Sequence, residues 1–138
     1  MKPNIRYLII YLITLASLAS AIYYLANYYT TTQGISLFYT PSQITIAHTL
    51  ISLLCFIIVL TVNLYRPLYT AFAFMGALWI RLICVIIAMI PIANSNNLNP
   101  YHEALFIVIP SFVMIAIETT FAIQLVKLTN QKINKSSN

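Results

Sequence analysis

Four long apolar stretches decide what this chain can fold into. Each is close to the roughly 20 residues that a helix needs to cross a hydrocarbon layer about 30 Å thick. The stretches are continuously apolar and lack the alternation of barrel strands, so we predict an all-α fold, a four-helix transmembrane bundle in the lipid bilayer. The predicted spans are 5–27, 44–64, 68–92 and 104–128.

The charged residues are too few for other classes of protein. Of the 138 residues, 61% are hydrophobic and 7% are charged, whereas about 25% are charged in a soluble domain. This composition excludes a soluble globular domain and a disordered chain. The net charge of +5 is not gathered with aromatic residues into a basic patch, so we expect no nucleic-acid partner.

The basic residues predict the orientation of the spans. Arg81 lies inside the third span, and the other six lie at one end of the predicted bundle: Lys2, Arg6, Arg66, Lys127, Lys132 and Lys135. Because positively charged ends and connections stay in the cytoplasm, we predict that both termini are cytoplasmic. Residues 129–138 are polar and basic, and we predict that they form a flexible tail.

A cleavable signal peptide is the alternative interpretation of the first span. Lys2 and Arg6 precede an apolar run that contains Ala19, Ser20 and Ala21, a set of small residues typical of a cleavage site. The apolar run continues past these residues to Ala26. We therefore expect the first span to remain as a transmembrane helix.

Two charged residues lie well inside the predicted spans, Arg81 in the third and Glu118 in the fourth, whereas Arg6 and Lys127 lie at the ends of theirs. Arg81 lies about 21 Å from Pro67 and Glu118 about 14 Å from Lys127 at 1.5 Å per residue. Side chains lean toward the start of their own helix, so the two tips converge if the helices are antiparallel neighbours. Because a charge in hydrocarbon costs about 2.5–3.5 kcal/mol and normally pairs, we predict an intramembrane Arg81–Glu118 ion pair.

Small and polar residues predict how the helices pack. His48 and Ser52 share one face of the second span and Ser111 lies in the fourth, which predicts a polar core. Ala73, Gly76 and Ala77 are predicted to allow close helix packing in the third span. The first span carries two pairs of small residues spaced by four, which we expect to meet the same core: Ala16, Ser17, Ser20 and Ala21.

Three interpretations of the ion pair remain open. It neutralises two charges and sets helix register, it engages a partner membrane subunit, or it takes part in proton or ion translocation. His48, near the outer end of its span, is interpreted as a hydrogen-bonded group rather than a proton relay. Glu103 suits the dipole at the start of the fourth helix.

The cysteines and Tyr11 are interpreted as structural residues without a chemical role. Cys55 and Cys84 are predicted to be small packing residues, and Tyr11 is assigned to an aromatic belt at the membrane surface. The sequence has no metal-binding cluster and no Gly-rich phosphate loop, and Glu118 has no second carboxylate nearby. We therefore predict no catalytic residues, no cofactor and no metal site.

Two segments carry a resemblance to a known family. Residues 72–81 (FAFMGALWIR) and residues 109–112 (IPSF) followed by Glu118 resemble small four-helix membrane proteins of Gram-negative bacteria. These proteins are often encoded beside the ATP synthase a-subunit gene and look like ATP synthase protein I. The resemblance covers about residues 44–128. Members often have Lys where this chain has Arg81 and an aromatic residue where it has Ser111.

The resemblance implies a function. ATP synthase protein I belongs to a family linked to rotor-ring assembly and magnesium supply, so it implies a non-enzymatic accessory protein of the bacterial inner membrane. This protein would assist assembly or stability of the ATP synthase membrane sector. The alternatives are a small cation or proton transporter or channel subunit, and a subunit of another membrane complex, such as a secretion or lipid-carrier system.

Overall fold

Four long α-helices follow one another in the computed structural model, which describes residues 3–94 and 100–136. A short 3₁₀ helix, Pro67–Tyr69, precedes the third of them. The part of the chain that is described contains no strand, so the predicted all-α fold is confirmed. The α-helices are α1 (Pro3–Gln33), α2 (Pro41–Tyr65), α3 (Thr70–Asn94) and α4 (Pro100–Ser136).

Local sequence explains where α1 ends and α2 begins. Gly34 follows α1 with a φ of 61°, a left-handed conformation that glycine adopts without steric cost. The Ile35 N–H then donates to the Thr30 carbonyl at 3.3 Å, which is the long hydrogen bond of a Schellman motif. Thr40 starts α2 with a capping box, because its side chain and that of Gln43 each accept from the other's backbone N–H.

The helices are longer than the predicted spans, most of all in α4. The 37 residues of α4 extend about 56 Å, well beyond a hydrocarbon layer of about 30 Å. Thr129–Ser136 continue α4 beyond the predicted fourth span, because this segment has no Pro or Gly to end the helix, and the flexibility of the tail stays a prediction. Positions 137 and 138 lie outside the described residues.

The central helices α2 and α4 pack between α1 and α3. In α2 and α4, 39% of the most apolar stretch is buried within the protein, compared with 11% in α1 and α3. Tyr11 of α1 stacks on Phe56 of α2 with ring centroids 3.7 Å apart, and Phe121 of α4 meets Tyr11 edge to face. The large hydrophobic side chains exposed on the outside are mostly Ile and Leu, followed by Tyr, as expected of a multi-pass membrane protein that contacts lipid.

The small residues do not all lie where we predicted. The four small residues of α1 are exposed, and the Ser20 hydroxyl donates to the Ala16 carbonyl of its own helix. They do not join the core because α1 turns the larger apolar surfaces of Tyr11 and Leu15 inward instead. The bundle has two ends: the termini end, with the α2–α3 turn, and the loop end, with the α1–α2 connection.

The three small residues of α3 that are predicted to allow close packing differ in how deeply they are buried. Ala77 is buried and its carbonyl accepts from the Cys55 thiol at 3.5 Å, while Ala73 is half-buried. Gly76 is exposed, and apart from the adjoining backbone of its own helix no atom lies within 4 Å of the position a Cβ would take. Gly76 therefore takes no part in packing within the bundle, because it lies on the outward face of the helix, and its role in close helix packing stays a prediction.

Candidate functional site

The two intramembrane charges meet in the middle of the bundle. Arg81 Nη2 of α3 lies 2.6 Å from Glu118 Oε1 of α4, as the sequence predicted. The side chains are 1% and 7% exposed, respectively. A charge-assisted bond of this length is among the stronger hydrogen bonds in proteins, and it joins the outer helix α3 to the central helix α4.

Arg81 has two further acceptors on the central helices. Its Nη2 also donates to the Ser52 hydroxyl of α2, and its Nη1 donates to the Ser111 carbonyl of α4 at 3.3 Å. Among the described residues, Arg81 Nε has no hydrogen-bond partner. Additional acceptors of this kind offset the cost of burying an ion pair, so Ser52 and Ser111 belong to the same site as Arg81 and Glu118.

The rest of the predicted polar core is continuous with the ion pair. Ser111 Oγ and His48 Nδ1 share a hydrogen bond of 3.4 Å, and both side chains are buried. His48 is thus a buried, hydrogen-bonded group on the loop-end side of Ser52. The structure brings together all five of the predicted polar and charged residues: His48, Ser52, Arg81, Ser111 and Glu118.

Tyr11 is a member of the site that sequence reasoning missed. Its ring is 1% exposed, and its hydroxyl donates to the Ser52 carbonyl at 3.1 Å. Its assignment to a surface aromatic belt is wrong. The available signal was depth, since Tyr11 lies six residues, or about 9 Å, beyond Ile5. With Tyr11 added, the polar layer comprises Tyr11, His48, Ser52, Arg81, Ser111 and Glu118, and it draws on every helix.

Glu103 has contacts that its position in the sequence did not reveal. It lies in the first turn of α4, as predicted, but its side chain is 1% exposed. Its carboxylate accepts from the backbone N–H groups of Phe38 and Tyr39, the latter at 3.1 Å. Glu103 therefore fastens the α1–α2 connection to the start of α4.

A second polar contact that sequence reasoning missed lies at the termini end. Asn63 Oδ1 accepts from the hydroxyls of Thr70 and Thr129, each at 3.0 Å. These three side chains tie α2, α3 and α4 together. Polar contacts thus occur at three depths: the loop end, the polar layer and the termini end.

A cavity of about 140 Å³ lies between the central helices and α3 on the loop-end side of the polar layer. His48, Gln43 and Cys84 are among its lining residues, and most of the lining is apolar. Within residues 3–94 and 100–136, no three His, Cys, Asp or Glu side chains are grouped to hold a metal ion. The chemistry of the site is that of a closed, hydrogen-bonded ion pair.

Fold and site together define a multi-pass membrane protein built on four helices and ordered by an internal ion-paired layer. Comparisons with known proteins add nothing to this class: no family model, curated protein or solved structure matches the chain.

Proposed function

We propose that this protein is a non-enzymatic accessory protein of the bacterial inner membrane that assists assembly or stability of the ATP synthase membrane sector. The observation that carries the proposal is the outward face of α3. There Gly76 is exposed with open space beside it, flanked along the helix by the exposed Phe72 and Ile80.

A glycine on a lipid-facing surface favours contact with another helix. In a helix interior Gly costs about 1 kcal/mol relative to Ala, and it contributes no side chain to contacts with lipid. Small residues on transmembrane helices allow two backbones to approach closely. The opposite side of α3 is held by Arg81, so its outward face is presented on a fixed helix.

The choice of partner and membrane rests on the resemblance and on the charges. The segment that carries Gly76 is one of the two that resemble the family encoded beside the ATP synthase a-subunit gene. The exposed basic residues Arg6, Arg66 and Lys127 share the termini end, which supports a cytoplasmic position for that end.

Copurification tests the proposal. Tagged protein in mild detergent is expected to enrich the a-subunit and the rotor-ring subunit, and Gly76→Ile is expected to lower that enrichment at least fivefold without loss of folded protein. Ala116→Ile is the matched control, because Ala116 is also an exposed small residue in a span. No enrichment by the unmutated protein, together with normal rotor assembly in a deletion strain, would contradict the proposal.

One observation favours a second candidate function, a small cation or proton transporter subunit. The cavity of about 140 Å³ has His48 in its wall, and His48 belongs to the polar layer through its hydrogen bond with Ser111. This function requires that protein in liposomes carries a proton or cation flux, and that Glu118→Gln abolishes the flux in folded protein. If the unmutated protein carries no flux and Glu118→Gln only lowers the stability of the protein, the transporter function is excluded and the accessory role stands.

A further inference from the structure

A long groove separates α1 from α4 toward the loop end. Its volume is about 470 Å³. One wall carries Ala21, Leu25 and Tyr29 of α1, and the other carries His102, Ile109 and Val113 of α4. The groove opens to the lipid-facing surface, because Leu25 and Ile109 are both exposed.

The length of the groove matches one leaflet of a bilayer. His102 and Val113 are eleven residues apart, or about 16 Å along the helix, which is about half of a 30 Å hydrocarbon layer. A helix that crosses the membrane would need a groove about twice as long, whereas an acyl chain of a lipid reaches about the middle of the layer. The length of the groove therefore favours an acyl chain as its occupant.

The polar groups of the groove are confined to its loop-end rim. The Tyr29 hydroxyl and His102 Nδ1 lie 3.3 Å apart there, and the exposed Tyr28 lines the same end. Hydroxyl and imidazole groups donate hydrogen bonds to phosphate oxygens. Glu103, the neighbour of His102, is buried and accepts from the Phe38 and Tyr39 N–H groups, so its charge does not face the rim.

We propose that this groove is a binding site for one phospholipid of the loop-end leaflet. One acyl chain lies between α1 and α4 from the rim to Val113. The phosphate accepts a hydrogen bond from the Tyr29–His102 pair, whose two groups are also bonded to each other. The site differs from ordinary lipid contact because it places the chain between two walls and the headgroup against a specific polar pair.

Photolabelling in nanodiscs tests the site on the full chain. The probe is a phosphatidylglycerol with a photoreactive group in the middle of one acyl chain, diluted in phosphatidylethanolamine. Adducts are expected at least fivefold more often on the groove residues Ala21, Leu25 and Ile109 than on outward residues of α3 such as Ile83 and Ile87. An even distribution over all exposed faces would overturn the proposal.

Matched variants separate binding in the groove from general lipid contact. Ala21→Phe fills the groove and is expected to reduce groove adducts at least fivefold, whereas Ala16→Phe, an exposed position of α1 outside the groove, leaves them unchanged. The double variant Tyr29→Phe with His102→Phe keeps an aromatic ring at both positions and removes the hydroxyl and imidazole donors. It is expected to reduce adducts at least threefold. Unchanged labelling in either groove variant, or cross-links between two copies of the chain in place of lipid adducts, would refute the site.

Discussion

Glu118 and Glu103 are the two acidic residues of the sequence, and the protein buries them in different surroundings. Glu118 lies in the middle of α4 and meets the side chain of Arg81 from another helix. Glu103 lies in the first turn of α4, where the helix dipole favours a negative charge, and it accepts from two backbone N–H groups of the α1–α2 connection.

The difference shows that the two carboxylates stabilise the protein on different scales. The Arg81–Glu118 pair lies among apolar helices, so the loss of one partner leaves an unpaired charge in a low dielectric. It also joins three helices through Ser52 and Ser111. The Glu103 contacts hold one connection at one end, so their loss is expected to act locally. The predictions that follow test this contrast.

The largest effect is expected from Arg81→Met. The substitution keeps much of the side-chain volume but leaves Glu118 without its cation, and breaking a buried pair costs about 3–5 kcal/mol. The free energy of unfolding in mixed micelles, measured by SDS titration, should fall by that amount. Ile83→Met on the exposed face of α3 is the control and should stay within about 0.5 kcal/mol. Equal effects of the two variants would show that the pair does not stabilise the bundle.

A smaller loss is expected from Ser52→Ala, which removes one acceptor of Arg81 from the polar layer. Hydrogen bonds to charged groups contribute about 1.5–3 kcal/mol, and the same unfolding titration measures the loss. Thr49→Ala is the matched control, because the Thr49 hydroxyl donates to the Thr45 carbonyl of its own helix. If both variants unfold alike, Ser52 is not part of the site.

The smallest effect is expected from Glu103→Gln, which keeps an amide oxygen as acceptor but removes the charge. We expect a loss of about 1 kcal/mol and faster hydrogen exchange at the amides of Phe38 and Tyr39, with exchange in the centre of α2 unchanged. Slower or unchanged exchange at those two amides would mean that the carboxylate does not hold the connection.

Combining the two regions tests their independence. Position 103 lies fifteen residues from position 118, or about 22 Å along α4. Mutations that far apart add to within about 0.5 kcal/mol, so Arg81→Met with Glu103→Gln should lose the sum of the single effects. A larger or smaller sum in the unfolding titration would show that the two carboxylates act on one unit.

The parts of the site that depend on the identity of side chains could be predicted from the sequence. Arg81 and Glu118 stand out because each is a lone charge in an apolar span, and both lean toward the same depth. His48, Ser52 and Ser111 were found by the same argument. The Glu103 contacts could not be predicted, because its partners are backbone N–H groups 64 and 65 residues away and backbone groups have no signature in the sequence.

The fold was predictable for a different reason, and its prediction was wrong at different residues. Continuous apolar stretches identify four helices, but they do not say which side of a helix faces the core when every side is apolar. Hence the sequence predicts Tyr11 at the membrane surface and the small residues of α1 at the core, whereas the structure buries Tyr11 and exposes those small residues. Packing of large side chains against Phe56 and Phe121 decided these orientations.

The central claim is that Arg81 and Glu118 order the bundle by pairing with each other. Charge reversal tests it most directly, with Arg81→Glu, Glu118→Arg and the double variant compared in the same SDS titration. We expect each single variant to be strongly destabilised, because it places two like charges together, and the double variant to recover most of the lost free energy of unfolding. A double variant as unstable as the sum of the single variants would contradict the claim.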